Sequence, residues 1–205
     1  MAYRAFLLLS ATLSIVAAAL ARAPHIAADS GVPADASTTI NANFFTFTGL
    51  NRTLWGEPTD GSPFKATTAN QLDFPALADQ SVSSTVLQFA PGGINPPHIH
   101  PHASELLVVF HGTLTVGFVD SAGKLFTQQL NPFEVFLFPK GLVHFQANLS
   151  PRVYGVALSA FGSSNAGTIS LPKAIFGSGI DAEVLAKAFK TDAATVGKLV
   201  SANAY

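Results

Sequence analysis

The chain is 205 residues long, carries a formal net charge of −1 with 11% charged residues, and contains no cysteine. That balance provides no basic field for nucleic acid, and the absence of thiols excludes disulfide staples. The length suits one domain with a substantial core, and 17 phenylalanines alongside frequent Val and Thr suit strands packed face to face.

The first predicted element is a signal peptide over residues 1–23. Arg4 is a weak positive start, residues 6–19 are apolar, and both Ala19-Leu20-Ala21 and Ala21-Arg22-Ala23 fit a small-x-small cleavage site. The apolar stretch is short for a membrane span and no second one follows. Residues 24–205 are therefore expected as a single secreted domain, with a retained anchor as the alternative. No lipidation or retention motif closes the sequence. Residues 24–41 hold Gly, Pro, Ala, Asp, Ser and Thr but few large apolar groups, and are expected to be mobile.

Strand signals begin at Phe44, Phe45 and Phe47. They continue over 82–89, 105–120, 125–130, 134–138, 145–149 and 153–161, punctuated by Gly, Pro, Asn and Asp. Many short strands without intervening helices predict an all-β sandwich or barrel over about residues 43–176. Two glycosylation sequons occur, Asn51-Arg52-Thr53 and Asn148-Leu149-Ser150. Asn51 is the better acceptor, because Asn148 precedes Ser150-Pro151 and falls in a predicted strand.

The most chemically loaded stretch is GGINPPHIHPHASELLVVFHG, residues 92–112. In an extended strand residues i and i+2 share a face, so His98 and His100 aim at one point. Glu105 adds a carboxylate, and His144 arrives from the later run VFLFPKGLVHF. Three imidazoles and one carboxylate form a divalent-metal site of hard or borderline character. Four protein ligands leave open positions on an octahedral ion, as a catalytic metal requires. Spacing alone allows manganese, iron, zinc, copper or nickel.

Pro96-Pro97 and Pro101 restrict the backbone around the histidine pair, and Pro139-Lys140-Gly141 reads as a tight turn returning His144 to the barrel. His102 reads as a solvated loop residue, with a position at the site entrance as the alternative. His111 lies too far along its strand to share the ion and reads as a turn residue.

Two short helices are predicted over about residues 181–203. Asp181 caps a run with Val184, Leu185, Ala188 and Phe189 on one face, and Asp192 caps a second with Val196, Leu199 and Val200. In Leu106-Leu107-Val108-Val109-Phe110 and in Val135-Phe136-Leu137-Phe138 both strand faces are apolar. Such a surface asks for a cover, either a second subunit or the N-terminal segment.

These residues resemble the germins and germin-like proteins of the cupin superfamily. One motif runs Gly92, His98-Ile99-His100, Glu105, Gly112; the second runs Pro139-Lys140-Gly141, His144, Asn148. The resemblance extends from about Asn43 to the end of the chain. It implies a cupin jelly-roll β-barrel with a short C-terminal helical extension, and one manganese ion per subunit on His98, His100, Glu105 and His144. It implies helices that clasp a neighbouring subunit, a homo-hexamer built as a trimer of dimers, and a place in the plant apoplast, in contact with the cell wall. Relatives are superoxide dismutases or oxalate oxidases with roles in defence.

Oxalate oxidase germins use two asparagines to hold oxalate. One matches Asn95; Thr85 stands at the other. Oxalate oxidation is therefore disfavoured, whereas superoxide dismutase-type activity demands less positioning of its substrate and is compatible with the loss. The alternative is a non-catalytic wall, receptor-like or storage cupin with a structural metal. The chain departs from the family pattern in lacking an N-terminal cysteine pair. It also carries Phe133 where relatives have Gly and His102 where they often have Arg. The turn at Phe133 is accordingly expected to be rearranged.

Overall fold

Short runs of alternating side chains, separated by residues that cannot continue a ladder, fold into strands that pair across large sequence distances. In the computed structural model, residues 41–51 and 56–204 are described. The expected signal peptide and the segment 24–40 lie outside them. Among the described residues the strands are β1 Phe64–Ala69, β2 Ser83–Phe89, β3 Ile94–Ile99, β4 Glu105–His111, β5 Leu114–Val119, β6 Leu125–Leu130, β7 Val135–Phe138, β8 Val143–Ala147, β9 Gly155–Phe161 and β10 Ile169–Ser170. Three helices follow: α1 Leu171–Phe176, α2 Ala182–Ala188 and α3 Ala193–Asn203.

The strands form two five-stranded antiparallel sheets, ordered β1-β2-β9-β4-β7 and β10-β3-β8-β5-β6. This is the expected jelly-roll. Between the sheets, Leu87, Phe89, Leu107, Val109, Leu114, Val116, Leu130, Phe138 and Ala157 pack into the core. Inward positions change character along the strands. On β2, Thr85 gives way to Leu87 and Phe89, and on β4 Glu105 gives way to Leu107 and Val109, all of them buried. One end of the barrel is therefore polar inside and the other is hydrocarbon.

Several expected boundaries move. Phe44 and Phe45 lie in a 3₁₀ turn, Ala42–Phe45, because the Asn41 side chain accepts from Asn43 N and caps it. Phe47 stacks on Phe74 with centroids 5.5 Å apart. The run 105–120 splits at Gly112, which has φ 72°, and where any Cβ would strike the Tyr154 carbonyl. β1 is an edge strand with little apolar alternation to announce it, and β10 has only two residues. α1, unanticipated, contacts β3 and the end of the chain.

Phe133 does not rearrange its turn. It adopts φ 69° with its Cβ present, its N–H donates to the Val109 carbonyl at 2.7 Å, and its ring stands 76% exposed. That backbone region costs an L-residue roughly 1–2 kcal/mol, which the ladder ends on either side sustain.

The C-terminal caps form as expected. Asp181 Oδ1 accepts from Glu183 N and Val184 N, and Asp192 Oδ1 accepts from Thr195 N. Leu185 and Val196 are buried, while Val184 and Phe189 remain about half exposed. No helix among the described residues is long and apolar enough to cross a membrane.

Candidate metal centre

His98 pairs with His144 across β3 and β8, and Asn95 pairs with Gln146. The two β3 residues are three apart, whereas their β8 partners are two apart, so β3 holds one extra residue. Pro96 and Pro97 fill that interval and have no N–H to give to a ladder, which is where a bulge is tolerated. The bulge lets Asn95 and His98 face the same interior despite their odd spacing. His100 follows β3 directly and, as the two-residue period requires, its ring lies 5.0 Å from that of His98. Its carbonyl accepts from Gly141 N at 3.1 Å, joining the first ligand pair to the Pro139-Lys140-Gly141 turn that leads to His144.

The candidate ligand atoms of His98, His100, Glu105 and His144 all lie within 4.8 Å of one another, and all four residues are buried. Each imidazole is oriented by a backbone carbonyl. His98 Nδ1 meets Pro96 O at 2.8 Å, His100 Nδ1 meets Gly167 O at 2.5 Å, and His144 Nδ1 meets Leu142 O at 2.9 Å. A carbonyl only accepts, so each Nδ1 carries the proton and each Nε2 presents a lone pair. Those lone pairs converge on a carboxylate: Glu105 Oε2 is 3.0 Å from His100 Nε2 and 3.2 Å from His144 Nε2. Acceptors facing acceptors in a buried pocket repel unless a cation stands among them. The donor set therefore fits a divalent ion.

The charges agree. Burial and the neighbouring His144 push His98 down to about 4, so it is a neutral ligand near neutral pH. Burial pushes Glu105 up, but positive charge at the His100 and His144 Nε2 positions, which a proton or a cation supplies, and the Ser159 hydroxyl outweigh it and hold Glu105 at about 2, so the carboxylate is ionised.

The two oxygens of Glu105 differ. Oε1 accepts from Ser159 Oγ at 2.5 Å and from Gln146 Nε2 at 3.1 Å, leaving Oε2 turned to the imidazoles. Gln146 is in turn held by Asn95, whose Nδ2 donates to Gln146 Oε1 at 2.7 Å. Ser159, Gln146 and the Gly167 carbonyl are site residues that spacing alone does not announce. Two signals exist in retrospect: Gln146 is two residues from His144 on one strand face, and Ser159 interrupts the apolar run of β9. Outer partners of this kind hold the ligand geometry. Ser159→Ala and Gln146→Met should each weaken metal affinity about ten- to a hundredfold while keeping the fold. Chelator competition with circular dichroism checks this, and unchanged affinity in both variants would refute it.

A cavity of about 310 Å³ opens onto His98, His100 and Glu105. Asn95 and Thr85 both line it. Thr85 hydrogen-bonds Thr68 through their hydroxyls at 2.9 Å. His144 sits behind the cavity wall, stacked on Phe138 with centroids 4.7 Å apart. His102 is outside the ligand set, its Nδ1 bonded to Asn165 O at 3.1 Å. His111 ends β4 and stacks on Tyr154. Asn51 is exposed in a turn, although Arg52 and Thr53 lie outside the described residues. Asn148 is fully buried and its amide donates to the carbonyls of Ala90 and Val153.

Comparison with known proteins agrees with this geometry. Residues 60–197 match the cupin family. Germin-like protein 9-3 of Oryza sativa subsp. japonica is 47% identical over 188 residues, covering 90% of this chain and 87% of the relative. Germin-like protein subfamily 1 member 6 of Arabidopsis thaliana is 46% identical over 158 residues, covering 75% and 68%. Among solved structures, an oxalate oxidase superposes with a TM-score of 0.76 at 32% identity, covering 84% of this chain and 86% of that one. The same oxalate oxidase fold with its substrate analogue glycolate bound superposes equally well.

Proposed function

The chain belongs to the germin-like proteins of the cupin family, and from that premise we propose that it is a secreted manganese-binding protein of the plant apoplast with superoxide dismutase-type activity. The observation that carries the reading is the set of three Nε2 atoms and one carboxylate oxygen converging beside an open cavity that reaches His98, His100 and Glu105. Imidazole and carboxylate donors without thiolate admit manganese among several divalent ions, and the germin resemblance of the two histidine motifs singles it out. Manganese, when bound, supplies one-electron exchange with small oxygen species. The protein's part is to hold the ligands. The carbonyls of Pro96, Gly167 and Leu142 hold the Nδ1 protons and aim the Nε2 atoms, and Ser159 with Gln146 holds the other oxygen of Glu105. A cavity that reaches three of the four ligands argues against an ion that serves stability alone.

Oxalate oxidation is disfavoured. A well-placed amide to a charged partner is worth about 1.5–3 kcal/mol, and Thr85 offers a hydroxyl already paired with Thr68. Losing the amide costs roughly tenfold to a hundredfold in rate or binding. Metal analysis followed by superoxide and oxalate assays on the purified protein tests the reading. Stoichiometric manganese, superoxide dismutation and at most trace hydrogen peroxide from oxalate are expected. Peroxide production at the rate of an oxalate oxidase germin would reverse the assignment, and a rise in oxalate activity in Thr85→Asn would trace the limit to the missing amide.

We also propose a homo-oligomer, a hexamer by analogy with germins and a component of a defensive cell-wall matrix. Its support is the outer face of β4 and β7, where Leu106 pairs with Leu137 and Val108 with Val135. Leu106, Leu137 and Val135 are each about half exposed. A sedimentation mass of one chain at micromolar concentration would contradict it.

A further inference from the structure

Resting on that reading of the metal centre, we propose that the cavity binds a hydroxylated monocarboxylate, its carboxylate at the metal end and a hydroxyl group against the Thr68–Thr85 pair. Charge is the first argument. Three neutral imidazoles, one carboxylate and a divalent ion leave one net positive charge. No Lys or Arg occurs among the described residues that line the cavity, so nothing there neutralises a second negative charge on a ligand. A monoanion matches the site, and a dianion carries an uncompensated charge into it.

Hydrogen bonding is the second argument. Thr68 Oγ1 and Thr85 Oγ1 lie 2.9 Å apart on neighbouring strands, opposite each other in the β1–β2 register. One of the two protons closes that bond. The pair is left with one free donor and free acceptor lone pairs. The group that satisfies both is another hydroxyl, which donates and accepts at once. A carboxylate oxygen would leave the acceptor side without a partner, and a methyl group would satisfy neither. Thr85 is nearly fully buried, so bulk water does not substitute freely at its hydroxyl. At the metal end, Asn95 gives one amide proton to Gln146, and its nitrogen lies 3.5 Å from His98 Nε2. With that ring nitrogen on an ion, the second amide proton faces the ligand's carboxylate.

Size is the third argument. A volume of about 310 Å³ lies at the lower end of ligand-binding cavities and exceeds what a diatomic or a two-carbon acid fills. Phe64, Ala66 and Leu87 supply apolar wall between the hydroxyl pair and the core, against which a short carbon chain rests.

The test is calorimetric titration of the manganese-loaded protein with three acids that share a carboxylate and a 2-hydroxyl. Glycerate ends in a hydroxyl, lactate in a methyl, and tartronate in a second carboxylate. Glycerate should bind about tenfold more tightly than either, the worth of one well-made hydrogen bond away from water. Thr68→Val and Thr85→Val should each bring glycerate and lactate to within about twofold of one another, chiefly by weakening glycerate. Thr85→Ser, which keeps the hydroxyl, should retain the preference. A general loosening of the barrel would instead weaken both acids together. If Thr85→Val fails to fold, Thr68→Val, at a less buried position, decides. Equal binding of glycerate and lactate by the wild type, or a preference that survives the valine substitutions, overturns the inference. Manganese content is measured first. A wild type that retains none overturns the functional reading and this inference together, whereas a loaded wild type without the preference overturns the inference alone.

Discussion

His98→Ala and His144→Ala should each lose nearly all bound metal, to below about a tenth of the wild-type content. Removing one imidazole opens a four-ligand shell, and the surviving carbonyl-oriented rings cannot swing to close it, because each Nδ1 is tied to the main chain. A ligand held in excess stabilises the native state by about 2.7 kcal/mol at a hundred times its dissociation constant. Thermal unfolding of the wild type should therefore fall on adding a chelator, and that of both variants should not move. His102→Ala provides the contrast. It is two residues from His100, but its ring is turned to Asn165 O, so the variant should keep its full metal content. Elemental analysis decides, and near-stoichiometric metal in either alanine variant would remove that histidine from the ligand set.

Gly93→Ala should be far more damaging than Gly92→Ala, although the residues are adjacent. A Cβ at Gly93 would drive into the carbonyls of Pro63 and Ala90. Both are main-chain atoms, so no side chain can rotate away. Gly93 also donates to Ala90 O and accepts from Asn148 N, each at 2.9 Å, and so fixes the start of β3 against the end of β8. These two strands carry His98 and His144, and His100 follows β3 directly. A loss of more than about 3 kcal/mol is expected, a large share of the stability of a domain of this size, and it should be accompanied by weakened metal binding. At Gly92 φ is 75°, but nothing lies within 4 Å of a new Cβ. There the cost is that of the left-handed conformation alone, roughly 1–2 kcal/mol. Urea unfolding orders the two variants, and a Gly92→Ala loss equal to or greater than that of Gly93→Ala would show that backbone collision is not what limits this position.

Much of the site is legible in short-range pattern. The period of a strand is two, so His98 and His100 declare a shared face without reference to the rest of the chain. Asp181 and Asp192 declare helix starts in the same local way. Strands such as 82–89 and 125–130 show their ends through the turn residues that flank them. Where the local signal is weak the reading fails. β1 is a sheet edge with Thr and Ala in place of large apolar groups, and the Phe44–Phe47 run is rich in strand formers but carries a capping Asn at its start. Phe133 shows the converse. Its identity argues against a left-handed turn, and the flanking ladder between β4 and β7 imposes one.

The sequence by itself determined an all-β barrel, the shared strand face of His98 and His100 and the caps of the closing helices, because each rests on patterns within a few residues, whereas the jelly-roll class followed from the family resemblance. Tertiary structure alone decided which imidazole nitrogen faces the shared centre, which carboxylate oxygen turns to it, and what lines the cavity. His100 is oriented by a carbonyl 67 positions away, and Glu105 is locked by donors 54 and 41 positions away. Contacts of that span have no local period to betray them. They exist only once two sheets have closed over a common interior and brought polar groups to places where water no longer reaches.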